Sequence, residues 1–373
     1  MECVDKGRVQ MNQIPEQMAG IELTGHGGFD KLAFRDDIPV PTPGPRDVLI
    51  RVGASAVNNT DLNTRVGWYS KSDGDSSDAG WGGNAIQFPL IQGADVCGEI
   101  TAVGKEVGKG RIGERVLVEP SLTEVNGKSL QQPLYFGSDC NGGFAEYTVV
   151  AAQHAHAIDS NLSDIELATF PCSYSTAENL LTRAAVTTED RVLVTGASGG
   201  VGSAVIQLAR ARGAEVIAVT SPAKSGQVAR LGAHSTLARD DNLLETPGSN
   251  SVDVVIDLVA GEQWPMLLEV LKPRGRYATS GAIAGPIVEL DVRTLYLKDL
   301  TLFGCTVLDD GVFANLVKRI EAAEIGALVA ASFPLSQIVD AQKLFETKQH
   351  IGKIAIDVLG GNSSSRLPGC SEP

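Results

Sequence analysis

Three donor groups fall close together early in the chain: the carboxamide of Asn58, the hydroxyl of Thr60 and the phenol of Tyr69. Groups of this kind can hydrogen-bond to an oxygen that gains negative charge, and a phenol can also give it a proton. Far downstream, Val192-Leu193-Val194 runs directly into Thr195-Gly196-Ala197-Ser198-Gly199-Gly200-Val201-Gly202. An apolar strand that enters a glycine-rich turn and then a helix is a cradle for a dinucleotide pyrophosphate. Its backbone N–H groups and the positive end of the helix face the phosphates. Ser198, Gly199, Gly200 and Val201 are the expected contacts, and Gly202 is expected to let the helix lie close on the strand. Ala197 stands where the first glycine of the usual pattern would be, with Gly196 just before it.

Ala204 to Arg210 continues with helical periodicity, and Ala214 to Val219 supplies a second apolar strand, completing a strand–turn–helix–strand unit. Its end should set cofactor choice, because an acidic side chain there would bind an unphosphorylated ribose. This chain has Thr220, Ser221 and Lys224 instead. Two hydroxyls and an ammonium suit a 2′-phosphate, so NADPH is the expected cofactor. The plainer alternative is that Thr220 and Ser221 cap a helix opened by Pro222.

The 373 residues, 43% hydrophobic and 20% charged, allow about two domains. A net charge of -14 argues against nucleic acid or an anionic membrane as partner. No apolar run reaches the roughly 18 residues that span a bilayer, and Met1 to Gly20 lacks a secretory core, so a cytoplasmic location is expected. Cys3, Cys97, Cys140, Cys172, Cys305 and Cys370 form no C-x-x-C pair, which suits reduced thiols.

Short β-type runs dominate up to residue 150, including Asp47–Val52, Gly98–Val103 and Arg115–Val118, and predict a β-barrel. From about Leu167, strands alternate with helices, through Val252–Asp257, Trp264–Leu271 and Gly275–Thr279. That rhythm predicts an α/β doubly wound parallel sheet. A helix near Ile338–Glu346 and a strand at Gly352–Val358 should return to the first domain. The expected division is a disordered extension 1–20, a barrel domain 21–165 completed by 330–358, a nucleotide-binding domain 166–329, and a disordered tail 360–373.

Five segments resemble the medium-chain dehydrogenase/reductase superfamily, in the expected order over about residues 20–358. They are Ala56–Asp61, Gln92–Ile100, Gly142–Tyr147, Gly196–Gly202 and Gly352–Ile354. The chain looks most like the zinc-independent quinone oxidoreductases, the ζ-crystallin group. The resemblance implies a GroES-like barrel, a Rossmann domain and an active site in the cleft between them. It places Thr176, Asp257, Leu258, Val259, Gly281, Ala282, Ile283, Phe303, Gly304 and Cys305 around the nicotinamide. Lys353 would reach the 2′-phosphate or a ribose. A homodimer through the edge run Leu300–Phe303 follows from the same analogy.

Zinc-dependent alcohol dehydrogenases of this superfamily hold their catalytic metal with a Cys, a His and a second Cys. Here those positions carry Asn58, Ala94 and Cys172, and Ser121–Ser138 replaces their multi-cysteine lobe. A carboxamide binds Zn²⁺ poorly and a methyl group not at all, so no metal is expected. Cys172 reads as a buried thiol lining the cleft.

Hydride transfer to a simple ketone builds charge on one oxygen, which a metal normally stabilises. Quinones, enones and enoyl thioesters spread that charge, and hydrogen-bond donors then suffice. In similar enoyl reductases a tyrosine after this segment is the proposed proton donor, which implies that role for Tyr69. The alternative is a Trp68–Tyr69 packing pair. The expected function is therefore NADPH-dependent reduction of quinones or α,β-unsaturated carbonyls. The rivals are a zinc-dependent alcohol dehydrogenase and an inactive nucleotide-binding adaptor.

Ser70–Asn84 reads as an insertion, either a lid over the substrate or an inert loop. Its Asp73, Asp75, Ser77 and Asp78 lack the glutamate of a calcium loop. His154 and His156 would share one face of a strand, and two solvated imidazoles are expected there.

Overall fold

Why the chain from Arg191 to Gly304 forms a sheet buried on both faces is visible in its strands. In the computed structural model, which describes residues 14–71 and 79–360, Val192 and Val194 face one hydrophobic cluster, and Leu193 between them faces another. Six parallel strands lie in the order Ser235–Ala238, Glu215–Thr220, Arg191–Val194, Val252–Asp257, Leu271–Thr279 and Thr301–Gly304. Val192 pairs with both Val216 and Val254, so the strand that carries the glycine-rich turn is central. The helices Pro171–Arg183, Gly200–Ala211 and Val312–Glu321 pack over one face, where Tyr174, Leu208 and Phe313 are buried. Trp264–Glu269 covers the other with Trp264, Leu267 and Leu268. This is the doubly wound α/β arrangement, whose ligand crevice lies at the carboxyl ends of the strands where the order reverses.

The barrel sheet runs Ala155–Ala157, Arg115–Val118, Cys97–Val103, Asp47–Val57, Lys353–Asp357 and Val329–Pro334, with Tyr147–Ala151 also on Asp47–Val57. The last two strands come from the far end of the chain. Ile354 pairs with Val57 and Asp357 with Ala54, so the barrel is closed only after the nucleotide domain has been traversed. Ile354 and Ile356 are fully buried, contributing about 2 kcal/mol each to that return.

Several sequence expectations need revision. Part of the expected N-terminal extension is ordered, because Gln17–Leu23 is a strand paired with Leu32–Pro39 and Leu90–Ile91. Met18, Ile21 and Leu23 are buried, and that apolar alternation fixes it in place. Residues 1–13 and 361–373 lie outside the described residues, as do the aspartates of the calcium-like run. Ser121–Ser138 contains a hairpin, Ser121–Val125 with Lys128–Tyr135. Its Asn126-Gly127 turn has φ of 52° and 73°, as a tight hairpin turn requires. His154 is not solvated: it is buried in a short 3-10 turn, and its Nε2 accepts from the Thr123 and Glu124 backbone N–H groups. His156 lies on the following strand, 3.0 Å from Glu119 Oε2. Pairing of the ring nitrogen with two backbone N–H groups explains the burial.

Candidate active site

Asn58 precedes the helix Asn59–Val66, and its backbone N–H donates to Asp61 Oδ2 at 2.7 Å. Gly67 ends that helix with a φ of 72°, which turns the chain back on itself. Tyr69 thereby returns to the start of the helix and donates to Thr60 Oγ1 at 3.2 Å. Burial raises the Tyr69 pKa, so its phenol keeps its proton at neutral pH. The helix is held from behind by Arg65. This buried guanidinium donates to Glu346 Oε1 at 2.7 Å and Gln342 Oε1 at 3.1 Å, on the helix Ile338–Glu346.

On the opposite wall lies the glycine-rich turn. A Cβ on Gly202 would sit 2.3 Å from Gly196 O and 2.7 Å from Ala197 Cα, so only glycine lets the helix begin there. The cleft between the two walls holds about 320 Å³. It brings together Asn58, Thr60 and Tyr69 with Thr176, Gly199, Gly200, Val201, Leu258, Gly281, Ala282, Ile283 and Lys353. Among the described residues its lining does not include Ser198, Thr220, Ser221, Lys224, Asp257, Val259, Phe303, Gly304 or Cys305.

Three of these absences have clear causes. Asp257 is fully buried and accepts from Thr195 and Tyr277 hydroxyls and from the Val259 and Ala260 N–H groups. It shapes the loop rather than facing the cleft, and it holds Ala260 at a φ of 54°. Phe303 and Gly304 lie on the edge strand Thr301–Gly304. Lys224 lies beside the turn, donating to the Lys348 and His350 carbonyls at 2.7 and 2.8 Å, with Ser198 Oγ at 3.4 Å. Thr176 is in the second turn of Pro171–Arg183, and its hydroxyl donates to Cys172 O at 2.7 Å.

Of the three positions that the resemblance aligned with metal ligands, Asn58 and Cys172 join a buried polar network, and Ala94 packs with Tyr135 and Cys172. Asp95 Oδ1 accepts from the Cys172 N–H at 2.6 Å, and Oδ2 accepts from Asn58 Nδ2 at 2.7 Å. Lys353 Nζ also reaches Asp95 Oδ2, at 2.8 Å, and donates to Asn58 Oδ1. Asn58 Nδ2 donates to Ala56 O as well, so both amide hydrogens are spent inside the protein. Burial, and next the Asp95 charge, push the Cys172 thiol up to about 12. Burial also raises Asp61 to about 7. Among the described residues no three His, Cys, Asp or Glu side chains converge as a metal site.

Sequence reasoning missed Asp95, which anchors the network behind the cleft, and Tyr135, which lines it; Trp81, from the insertion read as a lid or an inert loop, lines it too. Tyr135 Oη lies 3.1 Å from Cys172 Sγ, and the Trp81 and Tyr135 rings are 4.9 Å apart. The hairpin turn at Asn126-Gly127 was the signal that could have placed Tyr135 on a strand. A second cavity, of about 280 Å³, lies against the barrel near Met18, Asp47 and Glu124 and contains none of the expected site residues.

The chain matches a family model for the alcohol dehydrogenase GroES-like domain over residues 44–160 and one for zinc-binding dehydrogenases over residues 200–322. It is 29% identical over 354 residues to a quinone oxidoreductase of Lama guanicoe, covering 91% of this chain and 97% of that protein. It is also 29% identical over 352 residues to a chloroplastic NADPH-dependent alkenal/one oxidoreductase of Arabidopsis thaliana, covering 92% and 80%. A solved structure of a provisionally assigned alcohol dehydrogenase from Sinorhizobium meliloti 1021 superposes with a TM-score of 0.85 at 44% identity, covering 93% of this chain and 98% of that one. Ordered motifs, barrel, nucleotide domain and these relatives agree: the chain is similar to quinone oxidoreductases and is an oxidoreductase of the medium-chain dehydrogenase/reductase superfamily.

Proposed function

We propose that this protein reduces quinones or α,β-unsaturated carbonyls with NADPH and without zinc. The observation that carries the reading is the Tyr69–Thr60 hydroxyl pair across the cleft from the glycine-rich turn, beside metal-ligand positions taken over by Asn58, Ala94 and Cys172. When bound, the nicotinamide supplies a hydride. The crevice fits such a group, because Thr220 Oγ1 and Ser280 Oγ are buried at strand ends with no partner among the described residues. Ser198 to Val201 and the start of Gly200–Ala211 would meet the pyrophosphate. Thr220, Ser221 and Lys224 would meet the 2′-phosphate.

The protein's own part in the reaction is proton delivery and oxyanion stabilisation. With substrate bound, the Thr60 hydroxyl turns to donate to Tyr69 Oη, which frees the phenol O–H to give first a hydrogen bond and then its proton to the substrate oxygen or α-carbon. Asn58, with both amide hydrogens engaged, is assigned to positioning Lys353 and Asp95 rather than to direct donation. We further assign a cytoplasmic homodimer, joined along the exposed edge strand Thr301–Gly304. Among the described residues no helix is long and apolar enough to cross a membrane.

The test is steady-state reduction of 1,2-naphthoquinone, 3-penten-2-one and an enoyl thioester with NADPH, combined with metal analysis of the purified protein. Turnover of a conjugated acceptor by metal-free protein is expected. Stoichiometric zinc with activity confined to simple alcohols would overturn the reading.

A further inference from the structure

We propose that Trp81 and Tyr135 form an aromatic wall in the substrate half of the cleft, held in register by Asp139, and that this wall favours acceptors carrying an uncharged planar conjugated ring over linear aliphatic ones. The inference deepens the proposed reductase function and rests on it.

Tyr135 ends the hairpin strand Lys128–Tyr135, its hydroxyl lies beside Cys172, and it lines the cleft together with Asn58 and Thr176. Its ring packs against the Trp81 indole at 4.9 Å with an interplanar angle of 31°. Both rings line the cleft that also holds Tyr69 and Thr60. A flat acceptor lying along this wall therefore has its reactive end near the phenol that would protonate it.

Trp81 sits among Gly80, Gly82 and Gly83, a sequence with little stiffness of its own, so something else must fix it. One carboxylate does so. Asp139 Oδ1 accepts from the Gly82 N–H at 3.0 Å while Oδ2 accepts from the Tyr135 N–H at 2.8 Å. Gln132 Nε2 adds a bond to Gly82 O at 3.2 Å. Asp139 thus ties the loop to the strand at both of its carboxylate oxygens, with Gln132 as a second link, and it is a positioning residue for the pair.

The chemistry of the lining selects the occupant. Among the described residues Lys353 is the only charged side chain lining the cleft, and its ammonium is already held by Asp95 and Asn58. Among the described residues no uncommitted charged side chain in this lining compensates an anionic substrate. Offset stacking of a conjugated ring on an aromatic pair adds to plain area burial, whereas a linear chain gains area alone.

The experiment compares kcat/KM for 1,2-naphthoquinone with that for 3-penten-2-one. In Trp81→Ala the ratio should fall by about three- to tenfold, the worth of one aromatic contact. Trp81→Phe should restore most of it. Asp139→Asn should lower the ratio with an unchanged thermal midpoint, because the amide keeps only part of the tie. An equal loss on both acceptors, or no change, would overturn the wall. If the wild-type protein reduces neither acceptor, the reductase reading fails separately. Calorimetric binding of redox-inert 2-naphthol then decides the wall: weakening in Trp81→Ala supports it, and unchanged affinity overturns it.

Discussion

Lys353 and Asp95 form an ion pair inside the protein, with Nζ 2.8 Å from Oδ2 and side chains only 2% and 0% exposed. The pair joins the returning strand Lys353–Asp357 to the barrel, and through the Cys172 N–H to the first turn of the nucleotide domain's helix. Removing one member strands the other charge in a dry site, which typically costs 3–5 kcal/mol by order of magnitude. Lys353→Met should therefore lower the thermal midpoint markedly. Asp95→Asn combined with Lys353→Met should recover much of the loss, since two neutral side chains need no counter-charge. A midpoint equally low in the double variant would show that geometry rather than charge is what the pair supplies.

Asp61 gives a pH dependence of opposite sense to the usual acidic residue. Burial raises its folded pKa to about 7, although the Asn58 and Gly93 N–H groups oppose the shift. Between the ordinary carboxylate pKa near 4 and this value, the folded state holds a proton that the unfolded state has lost. Stability from this group is thus fully present below about pH 4 and declines as pH rises through 7. Chemical denaturation from pH 4.5 to 8 should show that fall in the wild type and a shallower one in Asp61→Asn. Identical slopes would contradict the assignment.

How much of this was legible in the sequence depends on distance along the chain. The run Val252–Asp257 and the helix Ile338–Glu346 match their observed bounds, because local periodicity determines them. The glycine-rich turn was also readable, since its backbone demands are local. Asp95 and Lys353 lie far apart in sequence, and neither announces a partner, so their union needed the fold. The same holds for Trp81, whose place depends on a carboxylate beyond the intervening hairpin. His154 misled for a related reason: a histidine that serves as a buried backbone acceptor looks, in sequence, like any surface histidine.

Lys224 tests the proposed cofactor preference. Its ammonium is half-buried beside the glycine-rich turn, where burial and Arg239 lower its pKa, yet its acceptors are two backbone carbonyls rather than a carboxylate. A 2′-phosphate would supply the missing negative charge, and charge-assisted bonds of this kind are worth about 1.5–3 kcal/mol. Lys224→Ala should weaken NADPH binding by roughly ten- to a hundredfold and leave NADH within about twofold. Fluorescence titration of both nucleotides measures the difference, and an equal loss for the two would reassign Lys224 to tying down the 348–350 segment.

Gly202 carries a purely steric demand. Its missing Cβ would meet backbone atoms of Gly196 and Ala197 at 2.3 and 2.7 Å, and backbone cannot swing aside as a flexible side chain can. Gly202→Ala should cost about 1–3 kcal/mol through overpacking and tilt the helix Gly200–Ala211 off the turn. Nucleotide affinity should fall with stability, as read by titration and thermal melting together. Unchanged affinity would mean that the helix start can shift without disturbing the crevice.

Tyr69→Phe separates proton delivery from packing. The ring that packs edge-on against Trp68 at 5.5 Å is kept, and only the hydroxyl held by Thr60 is removed. If the phenol protonates the reduced acceptor, kcat for an enone should fall by about 10²-fold or more with KM little changed. The loss on a quinone should be smaller, because its reduced oxygen can draw a proton from water. Thr60→Ala should reproduce part of the defect by freeing the phenol. A Tyr69→Phe enzyme with wild-type kcat on the enone would return Tyr69 to the role of a packing residue on the cleft wall.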